Sequence, residues 1–334
     1  MSHEIETIAF DGQVPWHGLG FPVTDLNPQE MLRAAQLDWS VSKRPIFTAE
    51  SPNFNTQPTA YTLPFPGLFA LVRDSDNRVL GPCGPQYLPF QNSEVFDFFN
   101  RFTEAGHMKM EVAGSLKGGT WIWALAKISD GAFNLMGDDP NYSYLLLSSP
   151  HVWGEAMTIM FTSVRVVCWN TITLALGKKV VDKFRYIHNK SFGEIASSAT
   201  LAVEQAMVEK AVLESKAKIL AEAKVRDLET VYKYYGQLIL NKSAVEIEEV
   251  EMADLKQNRT LRYMADNYFA GPGAKLQSAN GTWWGAFNGV TRFVDFQKGR
   301  SGRDVALYNA WLAHTDAVLK RKALDLAVQY AQAA

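Results

Sequence analysis

The spacing of apolar residues changes character near residue 190. Before it, short alternating runs are broken by Pro and Gly, a pattern typical of strands joined by turns. After it, Ala, Glu, Lys and Leu predominate with a helical period. We therefore predict an α+β fold, with an antiparallel sheet, a hairpin and packed helices in the first half and long helices in the second half. The predicted regions are an α+β core over residues 1–190 and a mainly helical region over 191–334.

The first region contains the predicted sheet. A hairpin is expected at Lys117-Gly118-Gly119, because adjacent glycines supply the positive φ that tight turns need. Its strands are Met108–Leu116 and Thr120–Ile128, and further strands follow at Tyr142–Ser148 and Ala156–Val167. Around this sheet we expect helices at Met31–Ala35, Ser93–Ala105 and Thr171–Leu176, a strand at Leu68–Arg73, and turns at Pro64–Pro66 and Gly81–Pro85.

The second region is predicted to be helical. The amphipathic span from Phe192 to Lys224 is much longer than an average helix, so a helical hairpin or an arm is expected there. A capping box at Ser243-Ala244-Val245-Glu246 marks another helix start. The remaining features are a helix at Asp227–Leu240, a break at Gly271–Gly273, an aromatic and basic segment at 283–303, and a final helix at Asp304–Ala333.

Arg165 stands in the middle of an apolar, β-branched run that is predicted to be a buried strand. A guanidinium keeps its charge at ordinary pH, so its burial costs several kcal/mol unless an anion meets it. We expect a negative group opposite Arg165. Either a carboxylate of the protein or a ligand such as a phosphate would satisfy it.

Basic residues accumulate directly after this strand, with two aromatic residues among them. Proteins that bind single-stranded nucleic acid combine lysines or arginines, which contact the phosphates, with aromatic rings, on which the bases stack. The alternative is a solvated basic face balanced by acidic residues elsewhere. The candidate contacts in this segment are Arg165, Lys178, Lys179, Lys183, Arg185 and Lys190, with Phe184 and Tyr186 as possible stacking residues.

A second basic run and two aromatic clusters extend the list of candidates. The run holds Arg292, Lys298, Arg300 and Arg303, and its Gly-rich tip is typical of a loop that orders on a polyanion or is simply solvated. Lys117 adds a cation at the hairpin tip. Trp16, in Pro15–Gly20, either stacks on a ligand or ties the N-terminus to the core. Trp121 and Trp123 share one face of a strand, and we favour the core for both.

Composition excludes some classes of protein. The 334 residues are 47% hydrophobic and 20% charged, with a net charge of −2, so a polyanion would have to bind a local patch. The longest apolar run is far below the ~20 residues that span a bilayer, and no signal peptide is visible. We expect a cytoplasmic protein without a membrane partner, in which Cys83 and Cys168 are buried thiols.

No motif for metal, nucleophilic or cofactor chemistry is visible. The histidines lack zinc-ligand spacing, and neither a phosphate-binding loop nor a nucleophile elbow occurs. We therefore predict no catalytic residues, no metal site and no cofactor.

The order of several motifs resembles a known family. They are Pro15–Gly20, Tyr87–Asn92, Ala113–Gly119, Phe161–Thr171, Ile187-His188 and Trp284–Val294. Together they resemble the phage/plasmid-like family, a domain of unknown function numbered 932, over most of the chain. The resemblance implies proteins of phages and plasmids in the cytoplasm of a bacterial host, often encoded beside genes for single-stranded DNA metabolism. A remote similarity to Rad52-like annealing proteins would imply a hairpin, a short antiparallel sheet and a helix packed across it.

Three functions follow from these observations. The first is a single-stranded DNA-binding protein of the strand-annealing type, self-associating into a ring or filament. The second is an enzyme that acts on a nucleotide or other small anion, with Arg165, His17 and Asn170 lining its pocket. The third is an inhibitor that binds a host protein through the helical region.

Overall fold

A computed structural model describes residues 5–12, 20–49, 62–165, 170–173, 185–298 and 314–333. Within these ranges, strands dominate the first half and helices the second, so the predicted α+β class is confirmed.

Nine of the described strands form one large sheet. Its order is β11-β10-β9-β7-β6-β1-β2, while β12 also pairs with β10 and β8 pairs with β9. Antiparallel pairing joins all neighbours except β1 and β2, which are parallel. The strands are β1 (Ile5–Asp11), β2 (Phe21–Val23), β6 (Met108–Leu116), β7 (Trp121–Ile128), β8 (Phe133–Leu135), β9 (Asp139–Pro150), β10 (Ala156–Arg165), β11 (Asn170–Thr173) and β12 (Arg185–Ile187).

The predicted hairpin is confirmed. β6 and β7 pair from Met108 with Ile128 to Leu116 with Trp121. Lys117, Gly118 and Gly119 all have positive φ, as the turn chemistry requires. Trp121 and Trp123 are both buried, so the prediction that they belong to the core is also confirmed.

A smaller sheet contains β3 (Val41–Ala49), β4 (Thr62–Arg73) and β5 (Arg78–Cys83), in that order. The turn predicted at Pro64–Pro66 is wrong, because both prolines lie in β4. At that end β4 pairs only with β3, since β5 pairs with Phe69–Arg73 alone. An edge tolerates a residue that lacks an N–H donor. The turn predicted at Gly81–Pro85 is also displaced, because β5 continues to Cys83.

The helices follow the predicted order with some corrections. They are α1 (Pro28–Ala34), α2 (Asn92–Glu104), α3 (Phe192–Glu222), α4 (Leu228–Leu240), α5 (Ala244–Glu248), α6 (Met252–Gln257), α7 (Arg259–Ala270), α8 (Trp283–Phe296) and α9 (His314–Ala333). The capping box before α5 is confirmed. Of the two forms expected after Phe192, a helical hairpin or an arm, the hairpin is wrong, because α3 is one helix of 31 residues. The helix predicted at Thr171 is wrong as well, because its β-branched residues pair with β10 as β11.

One hydrophobic core joins the two regions that the sequence distinguishes. It packs Ile122 and Phe161 of the large sheet with Leu220 of α3 and Trp284 of α8. The opposite face of the sheet carries a second cluster that includes Trp121, Trp123 and Tyr144. The boundary at residue 190 therefore crosses the main core, and the division of the chain into these two regions stays a prediction.

Two lysine–aspartate pairs join α8 to α9. Lys320 and Asp295 form an ion pair with both side chains almost fully buried. Lys298, directly after α8, pairs with the buried Asp316 in the first turn of α9. These pairs hold the end of α8 and Lys298 against the first two turns of α9.

The buried pair gives the first prediction. Asp295→Ala leaves the Lys320 ammonium buried without this carboxylate, and we expect a loss of about 3–5 kcal/mol in the free energy of unfolding. Replacing both residues, as Asp295→Leu with Lys320→Met, removes both charges and should recover most of that loss. The measurement is urea unfolding of the three proteins.

Arg226→Ala is the matched control, because it removes an exposed ion pair with Asp227. Its effect should be much smaller than that of Asp295→Ala, because an exposed ion pair contributes little to stability. A double variant as unstable as Asp295→Ala would contradict this account of the α8–α9 contact.

Candidate nucleic-acid interface

A cleft of about 310 Å³ opens where β5, β10 and β12 come together. Three short segments line it: 84–87 after β5, 153–155 before β10, and 187–189 at the end of β12. Its volume is at the lower end of the range for small-molecule sites. We refer to these three segments as the β12 cleft.

The floor of the β12 cleft is built around His188. Its ring stacks on Tyr87, with centroids 4.6 Å apart, and on Phe90, with centroids 4.2 Å apart. The Leu88 N–H donates to the His188 carbonyl at 2.8 Å, and His188 Nδ1 lies 3.2 Å from the Leu88 carbonyl. A carbonyl can only accept, so the neutral imidazole carries its proton on Nδ1.

A second buried histidine lies next to this stack in the fold. His151 Nε2 is 2.9 Å from Asn92 Oδ1, while the Asn92 amide nitrogen donates to the carbonyls of Leu37 and Trp39. Burial, with a smaller effect from the nearby His188, lowers the pKa of His151 to about 3. Burial likewise lowers the pKa of His188 to about 4. Both rings are therefore neutral at physiological pH.

Trp153 and Ile187 form the rim of the β12 cleft. These residues are 55% and 52% exposed. The Trp153 indole lies against Gly84, where an added Cβ would be 3.2 Å from the ring. Sequence reasoning missed Trp153, although a tryptophan in the turn-rich connection before β10 was a signal that could have found it.

Two predicted phosphate contacts border the rim. Arg185 and Lys190 are exposed. Arg185 and Ile187 are two residues apart on β12 and share its outward face, while Tyr186 between them is buried. Lys190 follows Asn189, the last residue that lines the cleft. An exposed indole and two cations thus lie along one short stretch of surface.

Tyr186 and the basic residues of the second run have other surroundings. Tyr186 packs in the main core, so its ring is not on the surface as stacking would require. Lys298 is engaged by Asp316. The Arg292 guanidinium lies 3.8 Å from the centre of the Phe296 ring, half-buried on α8.

The hairpin tip that carries Lys117 packs against the small sheet. A Cβ added at Gly118 would lie only 2.2 Å from the Arg78 guanidinium, and one added at Gly119 would lie 2.8 Å from the Arg73 guanidinium. The two arginines therefore pack closely against the turn. Arg73 bonds Glu6 at 2.9 Å and Asp76 at 2.6 Å. Lys117 is exposed beside these arginines.

The backbone pairs Arg165 with Asn141 of β9 and Asn170 of β11. Asn141 is buried, and so is Asp139, two residues earlier on β9. Ser278 and Trp284 donate to the Asp139 carboxylate, at 2.6 and 3.1 Å. A buried carboxylate is therefore present in the strand next to Arg165.

The remaining predicted contacts lie outside the described residues: Trp16, Lys178, Lys179, Lys183, Phe184, Arg300 and Arg303, together with the Cys168 thiol. β11 precedes the first basic run, and α8 and α9 flank the end of the second run. β11 packs against both helices. Cys83 is a buried thiol as expected, and burial raises its pKa.

Comparison with known proteins gives a family. Residues 79–319 match the family described as Domain of unknown function (DUF932), and the chain belongs to it. The match includes the motifs Tyr87–Asn92 and Ile187-His188, which meet at the β12 cleft. Neither the curated proteins nor the solved structures contain a match.

Across the part of the chain that the structure describes, no cluster of His, Cys, Asp and Glu side chains could hold a metal ion. None of the described helices is both long and apolar enough to cross a bilayer.

The two buried histidines predict acid lability. Their pKa values are lowered in the fold, so the unfolded chain binds protons first as the pH falls below about 6.5. The two sites together should lower the free energy of unfolding by roughly 2–3 kcal/mol between pH 7.5 and 5.5. Stability should continue to fall until the pH reaches the folded pKa values, about 4 for His188 and about 3 for His151.

Urea unfolding at both pH values tests this prediction. His188→Gln should remove about half of the pH dependence. His107→Gln, at an exposed histidine, is the control and should leave it unchanged. Equal pH dependence in wild type and His188→Gln would contradict the neutral, buried state of His188.

Proposed function

We propose that this protein binds single-stranded DNA and belongs to the strand-annealing type, as a phage or plasmid product acting in the cytoplasm of a bacterial host. One base would stack on Trp153 at the rim of the β12 cleft. Arg185 and Lys190 would bind the phosphates on either side.

The observation that carries this proposal is the exposed indole beside two exposed cations. Stacking on an aromatic ring does not depend on the identity of the base, and lysine or arginine neutralises the backbone. Trp153 keeps more than half of its surface in solvent, at 55% exposure. A ring held in this way is suited to an external planar partner.

The elements around the two basic runs support a longer path for the strand. β11 leads towards Lys178, Lys179 and Lys183, and α8 leads towards Arg300 and Arg303. β11 packs against α8 and α9, so the strand before the first run contacts the two helices that flank the end of the second run. A surface that joins the two runs would neutralise several consecutive phosphates, so binding should depend strongly on salt.

The order of elements also agrees with an annealing core. A hairpin, five more antiparallel strands (β8 to β12) and a long helix follow one another along the described chain, and that helix packs on the sheet. Many α+β folds share this order, so it supports the proposal less than the cleft does. Self-association into a ring or filament belongs to the same proposal.

The rim residue provides a direct test. Trp153→Ala should weaken binding of a single-stranded oligonucleotide by about 5- to 150-fold, because one stacked base contributes about 1–3 kcal/mol. The measurement is a filter-binding titration at several salt concentrations. The slope of affinity against salt should stay the same in this variant, because no phosphate contact is lost.

Two further variants complete the experiment. Arg185→Ala with Lys190→Ala should reduce the salt slope by about 1.4, the value for two phosphates of a single strand. Phe269→Ala removes another exposed aromatic side chain, on α7, and should bind as wild type does. Equal affinity of Trp153→Ala and wild type would refute the cleft as the binding site, and no binding at low salt would refute the function.

The same titration distinguishes the enzyme hypothesis. A free nucleotide that competes with the oligonucleotide at similar concentration would favour a small-anion site. We expect the oligonucleotide to bind much more tightly, because it makes several phosphate contacts at once.

A further inference from the structure

Helix α3 has two apolar rows on different sides. Leu213, Ala217 and Leu220 are buried in the main core. Leu201, Val208, Val212 and Ile219 are all exposed. At 100° per residue, the exposed row lies roughly 140° around the helix from the buried one. The exposed row therefore belongs to the outer surface of the protein.

The exposed row has the spacing of a coiled-coil seam. Leu201 and Val208 are seven residues apart, and so are Val212 and Ile219. With Gln205 and Ser215 included, successive positions of the row are four or three residues apart, as in a heptad repeat. Gln205 and Ser215 occupy the two polar positions of this seam. A heptad seam over three turns or more is unusual on a helix whose other face already packs in a core.

We propose that α3 binds α3 of a second copy of this chain, antiparallel, about a twofold axis near residue 210. In this register Leu201 meets Ile219 of the second copy, and Val208 meets Val212. Gln205 then lies opposite Ser215, so the two polar positions share one layer. Symmetry repeats each contact, and every apolar residue of the row obtains an apolar partner.

Charges beside the row set the orientation. Glu204 and Lys218 flank the same side of it and are both exposed. Antiparallel packing places each Glu204 against Lys218 of the other copy, and Lys218 also pairs with Glu214 of its own helix at 2.8 Å. The same register brings the two Glu209 side chains together at the axis, one repulsive contact against two attractive ones. Parallel packing would instead place Glu204 beside Glu209, which is repulsive. The row spans about 27 Å, and a contact of this size is small beside a standard interface of about 1,600 Å². The dimer should therefore be reversible.

Sedimentation equilibrium of the full chain over a range of concentrations tests this proposal. Wild type should dimerise, and Val212→Glu should raise the dissociation constant at least tenfold, with an unchanged circular dichroism spectrum because Val212 is exposed. Val245→Glu, on the exposed face of α5, is the matched control and should dimerise as wild type does.

Charge reversal tests the antiparallel orientation. Glu204→Lys and Lys218→Glu should each weaken the dimer, by about 2- to 30-fold for two symmetry-related pairs. The variant that carries both changes should recover wild-type association. A tighter dimer in Glu204→Lys would indicate parallel packing and overturn the proposal. So would a monomeric wild type, or association that Val212→Glu does not change. None of these residues lines the β12 cleft, so the result is independent of DNA binding.

Discussion

The stack of His188 between Tyr87 and Phe90 is the contact on which the β12 cleft depends. β12 has only three residues and pairs with the first residues of β10, so its strand pairing alone is weak. The reciprocal bonds between His188 and Leu88 attach its end to the segment before α2. Without them, the walls of the cleft at 84–87 and 187–189 would have little to hold them together.

The same buried network extends to the small sheet. His151 bonds Asn92 at the start of α2, and Asn92 bonds the backbone before β3. The Gln91 amide pairs with both backbone groups of Val41, at 2.9 and 3.0 Å. Neutral histidines suit this place, because a charged ring would be costly in a site with few water contacts. Hydrogen bonds and ring stacking thus hold the residues below the cleft, whereas Trp153 at its rim is exposed.

Much of the fold was predictable from local patterns. The Gly-Gly turn specified the hairpin and the capping box specified the start of α5. The helical period indicated the helical state of α3, although not whether it forms one helix or two. The turn predicted at Pro64–Pro66 is wrong, because a strand accepts prolines where it lacks a neighbour on one side. β4 pairs only with β3 at that end, and no local pattern shows this. The local sequence of β11 predicts a helix, because the pairing with β10 that makes it a strand is a tertiary contact.

The candidate site was predictable only in part. The texture of basic and aromatic residues identified Arg185 and Lys190, but it assigned stacking to Tyr186, which the structure buries. Trp153 lies in the site because its segment packs against Gly84, about 70 residues earlier in the chain. A local pattern cannot show such a contact. The charge argument applied to Arg165 would also have identified Asp295, another charge within an apolar run, but its partner Lys320 lies on a different helix.

Mapping the contact between the protein and a bound strand tests the central claim most directly. An oligonucleotide that carries photoreactive bases would be crosslinked to the full chain, and the attached peptides identified by mass spectrometry. We predict crosslinks at Trp153 and in the segment from Arg185 to Lys190. Crosslinks confined to other surfaces, with none in these two segments, would contradict the assignment of the β12 cleft.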